Sequence, residues 1–538
     1  MKSGARYKWN RRHFLKASLL LGLGTTFLQA CKRKANHILL KLTGTNHILG
    51  HRLWLPDFPP VSEKIEIPVL ILGGGIAGLS AAYQFHEKGF QDFLLLEMED
   101  EVGGNSKSGS NSYSKHPQGA HYLPIPNASN KEIYQFLEKS KIVKGWTATG
   151  EPIFDEEQLS FDPMHRLFID NYWQNGIVPE YGLDEEELAE MERFHGLMKD
   201  FTEMKGRDGK YVFDIPTLFA SNDHDLEDLD SISMEKWLLD QGFKTKPVFS
   251  YVNYCCRDDF GTGVKHTSAF AGIHYFSSRK HDYLGNEEAV LTWQEGNGRL
   301  VSLLKKYAEG KIKNNCLAYK IEWDENKVQV QVYDIKTNKS TLYITNQLIN
   351  CCPQFVNKYL ITSRKTLSDK FAYAPWLIAT ITLKSFPAAS GAPLSWDNVI
   401  HDGKGLGYIF DQHQSLAQYK APYVISYYHS LDAQDLRKER KKLLDFSEEQ
   451  WRDFIIEDLS KAHYGIEEEI LDMRIHRLGH GMISPVPGFM MSEARKEMAK
   501  PIADRIYFAH SDLSGLSLFE EAFYRGYLTA KEILTKYY

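Results

Sequence analysis

Short apolar runs alternate with amphipathic stretches along most of the chain, a pattern typical of α/β proteins. Val69–Leu72 and Phe93–Leu96 are continuous apolar runs, which predict buried parallel strands, and the spacing over Leu79–His86 predicts a helix between them. Apolar and polar residues alternate over Leu317–Trp323 and Val328–Tyr333, on either side of a polar turn. These two runs predict a β-hairpin.

Further elements are predicted in the rest of the chain. Apolar residues recur at helical spacing over Asp184–Phe201 and predict a long helix. Ser233 is a candidate N-cap for a short helix that ends near Leu239. Tyr373–Leu383 is rich in β-branched and aromatic residues and predicts a strand.

Composition narrows the class of protein. A chain of 538 residues with 43% hydrophobic and 13% aromatic residues can bury large cores in two or three structural units. The 64 Lys and Arg residues against 70 Asp and Glu give a net charge of −6. The chain therefore lacks the excess of positive charge that is typical of nucleic-acid-binding proteins. The six cysteines lack C-x-x-C spacing and are predicted to be buried free thiols, with disulfides as the alternative. The sequence contains neither H-E-x-x-H nor G-x-S-x-G, so no metal site is predicted and no serine nucleophile.

The first thirty residues are predicted to be an export signal. Basic residues precede an apolar run over Ala17–Ala30, which is too short to cross a bilayer as a stable helix. Arg11-Arg12-His13-Phe14-Leu15-Lys16 resembles the bacterial twin-arginine signal, with Asn10 where serine or threonine is more usual. The resemblance implies that the twin-arginine export machinery carries the folded protein to the periplasm or cell envelope. An uncleaved N-terminal anchor is the alternative.

The end of this signal predicts a lipid anchor. Leu28-Gln29-Ala30-Cys31 resembles a lipobox, in which the cysteine is lipidated and becomes the new N-terminus. Lipidated Cys31 would tether the protein to a membrane through acyl chains; simple cleavage is the alternative. Residues 31–63 contain three prolines and are predicted to be a linker between the membrane and the catalytic body.

A glycine-rich segment follows the first predicted strand and reads Gly73-Gly74-Gly75-Ile76-Ala77-Gly78. Gly73 permits a sharp turn, Gly75 lets the backbone approach a pyrophosphate, and Gly78 lets the helix pack closely on the sheet. The N-terminus of that helix, with Ile76 and Ala77 in its first turn, offers N–H groups to the phosphates. Glu97 ends the next strand at the spacing expected for an acid that binds a ribose. Together these features predict a dinucleotide-binding βαβ unit.

The residues after Glu97 indicate which dinucleotide is bound. Glu101-Val102-Gly103-Gly104-Asn105 resembles the second glycine pair of the flavin amine oxidases, phytoene desaturases and their relatives. In that superfamily the pair adds backbone contacts to the FAD diphosphate. The resemblance implies FAD as the cofactor and Gly103, Gly104 and Asn105 among the residues that bind it. It also places His121 near the cofactor, where relatives cross from the FAD domain towards the flavin.

The C-terminal end carries a second, independent resemblance. Arg505–Ala509 predicts a strand, and Ser511-Asp512 and Gly515 precede a predicted helix from Glu520. In the superfamily this closing element brings an acid to the diphosphate–ribityl region and points a helix towards the flavin. The resemblance implies that Asp512 and Glu520 bind the cofactor. His510 stands where the family usually has glycine. The closing motif has no cysteine, which implies non-covalent FAD.

The fold class implied is α/β, with a Rossmann-type FAD-binding domain assembled from separated segments and a mixed-sheet and helical substrate domain. The segment from Trp293 resembles the family's central FAD-binding segment and links the two ends. The expected order is a signal peptide at 1–30, a linker at 31–63, FAD-binding segments at 64–126, 291–365 and 500–538, and substrate-domain segments at 127–290 and 366–499.

Three residues are candidates for a catalytic role. Lys358 lies five residues after Pro353, the spacing of a lysine that holds a water at the flavin N5 in many amine oxidases of the superfamily; a solvated helix lysine is the alternative. Tyr524, on the helix that points towards the flavin, is a candidate wall of the substrate pocket. His480 is flanked by glycines, which could bring it near a ligand; a loop histidine is the alternative. Further candidate wall residues, each of which could equally belong to the core, are Trp396, Tyr408 and Phe410.

The resemblance implies an FAD-dependent, amine oxidase-like oxidoreductase that transfers a hydride from a small substrate, an amine or polyamine, to the flavin. Such a pocket needs apolar, aromatic walls, because the reacting nitrogen must be neutral. Two alternatives are an FAD-dependent desaturase or isomerase that acts on a C–C bond of a lipid or isoprenoid, and a flavin-binding surface protein without catalysis.

Overall fold

The computed structural model describes residues 37–55, 57–280, 289–415 and 420–538. The twin-arginine segment and Cys31 lie outside these ranges. The strands, numbered in chain order, are β1 (Leu39–Gly44), β2 (Val61–Leu72), β3 (Phe93–Leu96), β4 (Ser108–Ser110), β5 (Lys115–Pro117), β6 (Tyr122–Pro124), β7 (Val143–Trp146), β8 (Pro152–Phe154), β9 (His165–Ile169), β10 (Tyr172–Asn175), β11 (Val290–Thr292), β12 (Ile312–Lys313), β13 (Cys316–Trp323), β14 (Val328–Asp334), β15 (Lys339–Asn350), β16 (Tyr373–Leu383), β17 (Asp397–Ile400), β18 (Tyr408–Phe410), β19 (Tyr423–Ser430), β20 (Ile470–Ile483) and β21 (Ile506–Phe508).

The α-helices alternate with these strands. They are α1 (His47–Gly50), α2 (Ile76–Glu87), α3 (Lys131–Lys139), α4 (Glu185–Glu203), α5 (Asp228–Ser231), α6 (Met234–Asp240), α7 (Lys246–Phe260), α8 (Ala269–Ser277), α9 (Gly298–Lys305), α10 (Gln354–Leu360), α11 (Lys365–Ser368), α12 (Leu436–Asp445), α13 (Glu448–Leu459), α14 (Glu493–Ala499) and α15 (Phe519–Tyr537). Short 3-10 helices include His51–Trp54 and Ser511–Ser514.

Two sheets organise the molecule. The first, which we call the nucleotide sheet, has the order β12-β3-β2-β15-β14-β13, and β21 also pairs with β15. Its strands β12, β3, β2, β15 and β21 are parallel, as the continuous apolar runs predict, while β13, β14 and β15 are antiparallel. The second, the mixed sheet, has the order β1-β20-β16-β19-β18-β17-β9-β10. This architecture confirms the predicted α/β class.

The predicted local elements are also present. The hairpin forms as β13 and β14, and the β-rich run at 373–383 is the buried strand β16. Asp184 caps α4 through a capping box with Glu187, and the Ser233 side chain accepts a hydrogen bond at the start of α6. These caps satisfy backbone N–H groups that a helix start leaves without partners.

The linker predicted at 31–63 is wrong over its described part. β1 pairs in parallel with β20, and α1 with the following 3-10 turn buries Leu49 and Leu53 against the nucleotide sheet. β2 begins at Val61. The prolines at 59 and 60 interrupt regular secondary structure over only a few residues. The apolar residues before them bury enough surface to stabilise a strand and a helical turn.

Candidate functional site

The carboxyl ends of the parallel strands meet at one edge of the nucleotide sheet. Leu72 of β2 lies opposite Leu96 of β3 and Asn350 of β15, and Asn350 also lies opposite Phe508 of β21. The segments that follow these four strands therefore lie side by side. In open parallel sheets ligands bind at this edge, which here collects the glycine motif, Glu97 and the closing motif.

The glycine motif forms the start of α2. At Gly73 φ is +98°, and a Cβ atom would lie 3.0 Å from a backbone carbonyl oxygen, so only glycine fits. A Cβ at Gly78 would lie 2.0 Å from the Gly73 carbonyl oxygen. A Cβ at Gly75, by contrast, would meet no atom within 4 Å. No side chain caps α2, so the first N–H groups, including those of Ile76 and Ala77, point into this open space.

Glu97 lies directly beside the glycine motif. One carboxylate oxygen accepts a hydrogen bond from the Gly74 N–H at 2.7 Å, and the other accepts one from the Glu99 N–H at 2.8 Å. Burial raises the pKa of Glu97, and the two N–H donors oppose that shift. Because each oxygen can accept more than one hydrogen bond, the carboxylate keeps capacity for a ribose hydroxyl.

The second glycine pair closes against the first motif. The Gly103 N–H donates to the Gly74 carbonyl oxygen at 2.8 Å. Gly103 and Gly104 have φ values of +131° and +54°, and a Cβ at Gly104 would lie 3.4 Å from the Gly75 Cα atom. The open space at the helix start is therefore bordered by backbone from both motifs. We call this space the nucleotide cradle.

Asn105 and His121 connect the cradle to the mixed sheet. The Asn105 side-chain amide donates to the Gly481 carbonyl oxygen of β20, and the Asn105 backbone carbonyl accepts a hydrogen bond from the Ala120 N–H at 2.9 Å. The ring of His121 lies 4.7 Å from that of Tyr428, centroid to centroid. Burial lowers the pKa of His121 to about 4, so the imidazole is neutral at pH 7.

Asp512 of the closing motif is buried at the same edge. It accepts hydrogen bonds from the Gln354 N–H at 2.9 Å and from the Tyr373 hydroxyl at 2.5 Å, and His510 lies 3.0 Å away. Burial raises the pKa of Asp512, but His510 and the two donors together lower it below its ordinary value. His510 has φ −142°, which is extended backbone, so a histidine fits where the family usually has glycine.

The start of α15 reaches the same region. Glu520 in its first turn is buried and forms an ion pair with Arg279. The helix crosses α2 so closely that a Cβ at Gly526 would lie 1.8 Å from the Ala77 carbonyl oxygen, and the Ser80 hydroxyl donates to a carbonyl of α15 at 2.8 Å. This contact fixes the N-terminus of α15 relative to the cradle.

Lys358 lies in α10, and His480 packs beside that helix. The ammonium group of Lys358 is 3.5 Å from Asp369, and its side chain is 27% exposed. The ring of His480 stacks on Phe355 with centroids 3.9 Å apart. Burial lowers the pKa of His480 to about 3, with Arg440 and Lys358 adding to the effect. His480 belongs to β20 and precedes Gly481, the residue that Asn105 contacts. Lys358 points towards the surface, and a role for it at a flavin stays a prediction.

Tyr524 does not line a pocket, contrary to the sequence-based expectation. Its ring is fully buried against Phe219 and Phe523, and its hydroxyl donates to Glu132 of α3 at 3.0 Å. Helical periodicity places position 524 on the face of α15 that packs into the core rather than on the face nearest the cradle.

Of the three other candidate wall residues, two belong to the core and one lies beside His121. Tyr408 and Phe410 belong to the core of the mixed sheet, where the Tyr408 hydroxyl accepts a hydrogen bond from Arg166 at 2.8 Å. Trp396 instead lies 5.9 Å from His121, centroid to centroid, in a cluster with Tyr122.

No sequence motif pointed to a second group of side chains beyond His121. These polar residues come from β6, α7, α8 and the segment after α8, and each of them is partly buried. We call this group the chamber, and its members are Tyr122, Tyr254, Asp258, Asp259, Tyr275 and Arg279. A cavity of about 250 Å³ adjoins it at Tyr254. The one signal in the sequence is an acidic pair within a helix whose other inward positions are apolar.

Asp258 is the chamber residue whose charge is least compensated. Burial raises its pKa well above the ordinary value, and the nearby Asp259 and Asp397 raise it further. The Tyr122 hydroxyl donates a hydrogen bond to Asp258 and opposes the shift. Every charged group that sets this pKa is therefore negative. A partly buried carboxyl in such surroundings gains by binding a cation.

Asp259 is in a different electrostatic position. Burial raises its pKa to about 6, Arg279 lowers it, and Glu520 raises it. Arg279 thus lies between two carboxylates and compensates both.

Among the described residues, no group of three or more His, Cys, Asp or Glu side chains is placed to hold a metal ion. In the same ranges no helix is long and apolar enough to cross a membrane. The five described cysteines are free thiols, and the prediction of buried free thiols is confirmed for four of them, whereas Cys352 is only half-buried.

Comparison with known sequences identifies the nucleotide motif. Residues 71–140 match the family model for an NAD(P)-binding Rossmann-like domain. The mitochondrial pyruvate dehydrogenase phosphatase regulatory subunit of Mus musculus is 33% identical over 90 residues, which are 17% of this chain and 10% of that protein. The chain matches about a tenth of the length of such curated relatives.

Comparison with solved structures identifies the fold. Putrescine oxidase bound to putrescine has a TM-score of 0.62 at 13% identity, with 88% of this chain and 100% of that chain covered. Cyclohexylamine oxidase from Brevibacterium oxydans has a TM-score of 0.63 at 13% identity, with 88% and 99% covered. A fatty acid isomerase from P. acnes has a TM-score of 0.59 at 15% identity, with the same coverage. The chain therefore has the fold of these proteins over most of its length.

Proposed function

We propose that this chain is an FAD-dependent oxidoreductase that oxidises amines, with diamines and polyamines as its preferred substrates. The fit of the cofactor rests on the nucleotide cradle. Open space at Gly75, uncapped N–H groups at the start of α2 and the adjacent Glu97 suit a diphosphate and its ribose. Asp512 would hold the more distant part of the dinucleotide. The shared fold with two amine oxidases supports the proposal.

When bound, FAD supplies the electron sink that accepts a hydride from the carbon next to the substrate nitrogen. The nitrogen loses a proton in the same oxidation, and water hydrolyses the resulting imine. The protein's share is to bind the amine, orient it and keep the reacting nitrogen neutral. Tyrosine rings and buried surroundings in the chamber favour the neutral nitrogen, because burial destabilises an ammonium ion.

The single observation that carries the choice of an amine is Asp258. Tyr122 donates to its carboxyl, and Asp259 and Asp397 raise its pKa. Arg279, the cation of the chamber, is paired with Glu520 and compensates Asp259 instead. An ammonium group would supply the missing positive charge and allow the carboxyl to ionise. In a diamine one nitrogen can bind Asp258 as an ammonium while the other reacts as the free amine.

The same charges argue against the fatty acid isomerase activity of the third solved structure. A fatty acid brings a carboxylate instead of a cation, so it cannot supply the positive charge that would let Asp258 ionise, and its own charge would lose water in a region of low dielectric constant. A neutral lipid or isoprenoid does not meet this cost and remains the second candidate, because the aromatic chamber also suits an apolar substrate.

The first experiment is anaerobic reduction of the purified holoenzyme by candidate substrates, measured as the loss of flavin absorbance. The panel contains putrescine, spermidine, a monoamine of equal chain length and a fatty acid. We expect reduction by the diamine at lower concentrations than by the monoamine. A flavin that no amine reduces would refute the amine proposal, and one that nothing reduces would favour a non-catalytic flavoprotein.

The test of Asp258 uses the Asp258→Asn variant in the same assay. We expect the diamine concentration for half-maximal reduction rate to rise at least about tenfold, the effect of losing one partly buried ion pair. The monoamine should be affected less. Asp230→Asn is the matched control, since burial also raises the pKa of that carboxyl but it binds backbone outside the chamber. Equal effects of both variants would contradict the role of Asp258.

We further propose that the twin-arginine signal exports the folded protein and that Cys31 is then lipidated. Support comes from the sequence at residues 11–16 and 28–31. Replacing both Arg11 and Arg12 by lysine should leave the protein in the cytoplasm, as cell fractionation would reveal. Mass spectrometry of the mature N-terminus distinguishes lipidated Cys31 from simple cleavage.

A further inference from the structure

The first helical segment of the described chain is apolar on two opposite sides. Residues 47–54 form α1 and the 3-10 turn that continues it, and together with Leu55 we call this segment the ridge. Its inner side buries Leu49 and Leu53. Its outer side leaves Ile48, Trp54 and Leu55 exposed by 76%, 57% and 81%. Three large apolar side chains so close in sequence and so exposed indicate a surface that meets something other than water.

This segment of the chain differs in charge from the rest of the protein, although the Glu99 carboxylate accepts a hydrogen bond from the Asn46 N–H beside the ridge. Residues 37–55 contain Lys41 and Arg52 and no acidic residue, whereas the whole chain has a net charge of −6. Lys41 is exposed on β1, the edge strand that leads into the ridge. The Arg52 guanidinium stacks on the Tyr333 ring at 4.2 Å, so it lies at the base of the ridge. Exposed apolar and cationic groups are thus combined in one short segment.

We propose that the ridge docks on a phospholipid bilayer that contains anionic lipids. Apolar side chains with tryptophan beside cationic residues are the composition of segments that lie in a membrane interface. The position of the ridge, shortly after Cys31 in the chain, also supports a membrane as its partner. Cys31 precedes the first described residue, His37, by six positions, a span of at most about 20 Å. The strand β1 adds roughly 20 Å between His37 and the ridge, so one flat membrane surface can meet both an acylated Cys31 and the ridge.

Docking of the ridge would also orient the protein on the membrane. Acyl chains at Cys31 tether the protein, whereas a second contact determines which face meets the membrane. The ridge supplies apolar side chains for that contact, and Lys41 adds attraction to anionic headgroups. The proposal does not depend on the substrate or on the cofactor.

The experiment measures vesicle binding of the chain from Lys32 onward, which keeps every described residue and has no acyl chain. Vesicles of phosphatidylcholine, with and without phosphatidylglycerol, are sedimented with the protein. We expect binding to the anionic vesicles and a blue shift of tryptophan emission. The variant Ile48→Ser/Trp54→Ser/Leu55→Ser should bind at least about tenfold more weakly, since partial burial of one such side chain is already worth that factor.

Two controls separate docking from general effects. Leu239→Ser removes an apolar side chain that is 58% exposed on α6, and it should bind like the parent protein. Lys41→Glu should weaken binding to the anionic vesicles only. Melting temperature and FAD content show whether each variant is folded.

Three outcomes would overturn the proposal. The first is the absence of binding to either vesicle. The second is equal loss of binding in the ridge variant and in Leu239→Ser. The third is a dimer, detected by sedimentation velocity, that the ridge substitutions dissociate while vesicle binding is absent. That result would assign the ridge to a second copy of the chain.

Discussion

The contrast between Gly75 and Gly78 gives the sharpest test of the nucleotide cradle. Both are glycines of one motif, yet a Cβ at Gly75 would meet no protein atom within 4 Å, while a Cβ at Gly78 would lie 2.0 Å from the Gly73 carbonyl oxygen. Alanine at Gly75 therefore fills only the space assigned to the cofactor. Alanine at Gly78 collides with the protein itself. The two substitutions should separate cofactor binding from folding.

The magnitudes follow from the backbone geometry. Gly75 has φ −71° and ψ −175°, which alanine adopts readily. The entropy gained by replacing glycine, about 0.4–1 kcal/mol, offsets the similar loss from placing alanine at an N-cap, so stability should change by under about 0.5 kcal/mol. The added methyl group should weaken FAD binding by about 2–3 kcal/mol, or roughly 30- to 150-fold. Gly78→Ala should destabilise the protein by about 3 kcal/mol.

The assay has two parts, both made on protein from which FAD has been removed. Urea denaturation followed by circular dichroism measures the stability of each variant, and quenching of FAD fluorescence measures affinity. Gly196→Ala is the control, because its Cβ would also enter open space but lies in α4, away from the cradle. If Gly75→Ala binds FAD as tightly as the parent protein, the diphosphate does not lie against Gly75 and the cradle is wrongly assigned.

Three further predictions concern other site residues. Lys358→Met should change the rate of anaerobic flavin reduction less than about twofold, because Lys358 lies at the surface near Asp369 and such pairs contribute little; a tenfold or larger fall would place it at the flavin. Tyr524→Phe should leave that rate unchanged but lower the free energy of unfolding by about 1 kcal/mol, since the hydrogen bond to Glu132 is lost; a slower reaction at unchanged stability would contradict this. The pKa of Asp512 is lowered in the folded protein, so its contribution to stability is present above the ordinary value of 3.8 and is lost as the pH falls through the lower, folded value. Melting temperatures measured against pH should therefore converge for the parent protein and Asp512→Asn below about pH 4, and a difference that stayed constant with pH would refute this origin.

The nucleotide sheet could be predicted from sequence because its signals are local. Val69–Leu72 and Phe93–Leu96 are continuous apolar runs, and the glycines between them serve a turn and a close helix contact that few other residues allow. Asp512 lies far along the chain, and its place at the same sheet edge was implied by a family resemblance rather than by any local pattern. The pairing of β21 with β15 supplies the physical reason for that place.

Features of the structure that depend on tertiary contacts could not be predicted from local sequence patterns. Tyr122 and Asp258 come from separate segments, and neither stands in a recognisable motif. Tyr524 was expected at a pocket because its helix points towards the cofactor, but only the packing of α15 on α2 and α3 decides which face is inward. The predicted linker failed for a related reason, since the burial of Leu49 and Leu53 depends on a sheet formed much later in the chain.

The ridge and the chamber bear on different questions and should not be merged into one. Attachment to a membrane and an apolar ridge would both suit a lipid substrate. The partly buried carboxyl of Asp258, however, favours a cationic substrate, and diamines and polyamines dissolve in water. Docking would then determine where the enzyme works, while the chamber determines what it oxidises. A ridge variant that loses vesicle binding but keeps its rate of flavin reduction by putrescine would establish that separation.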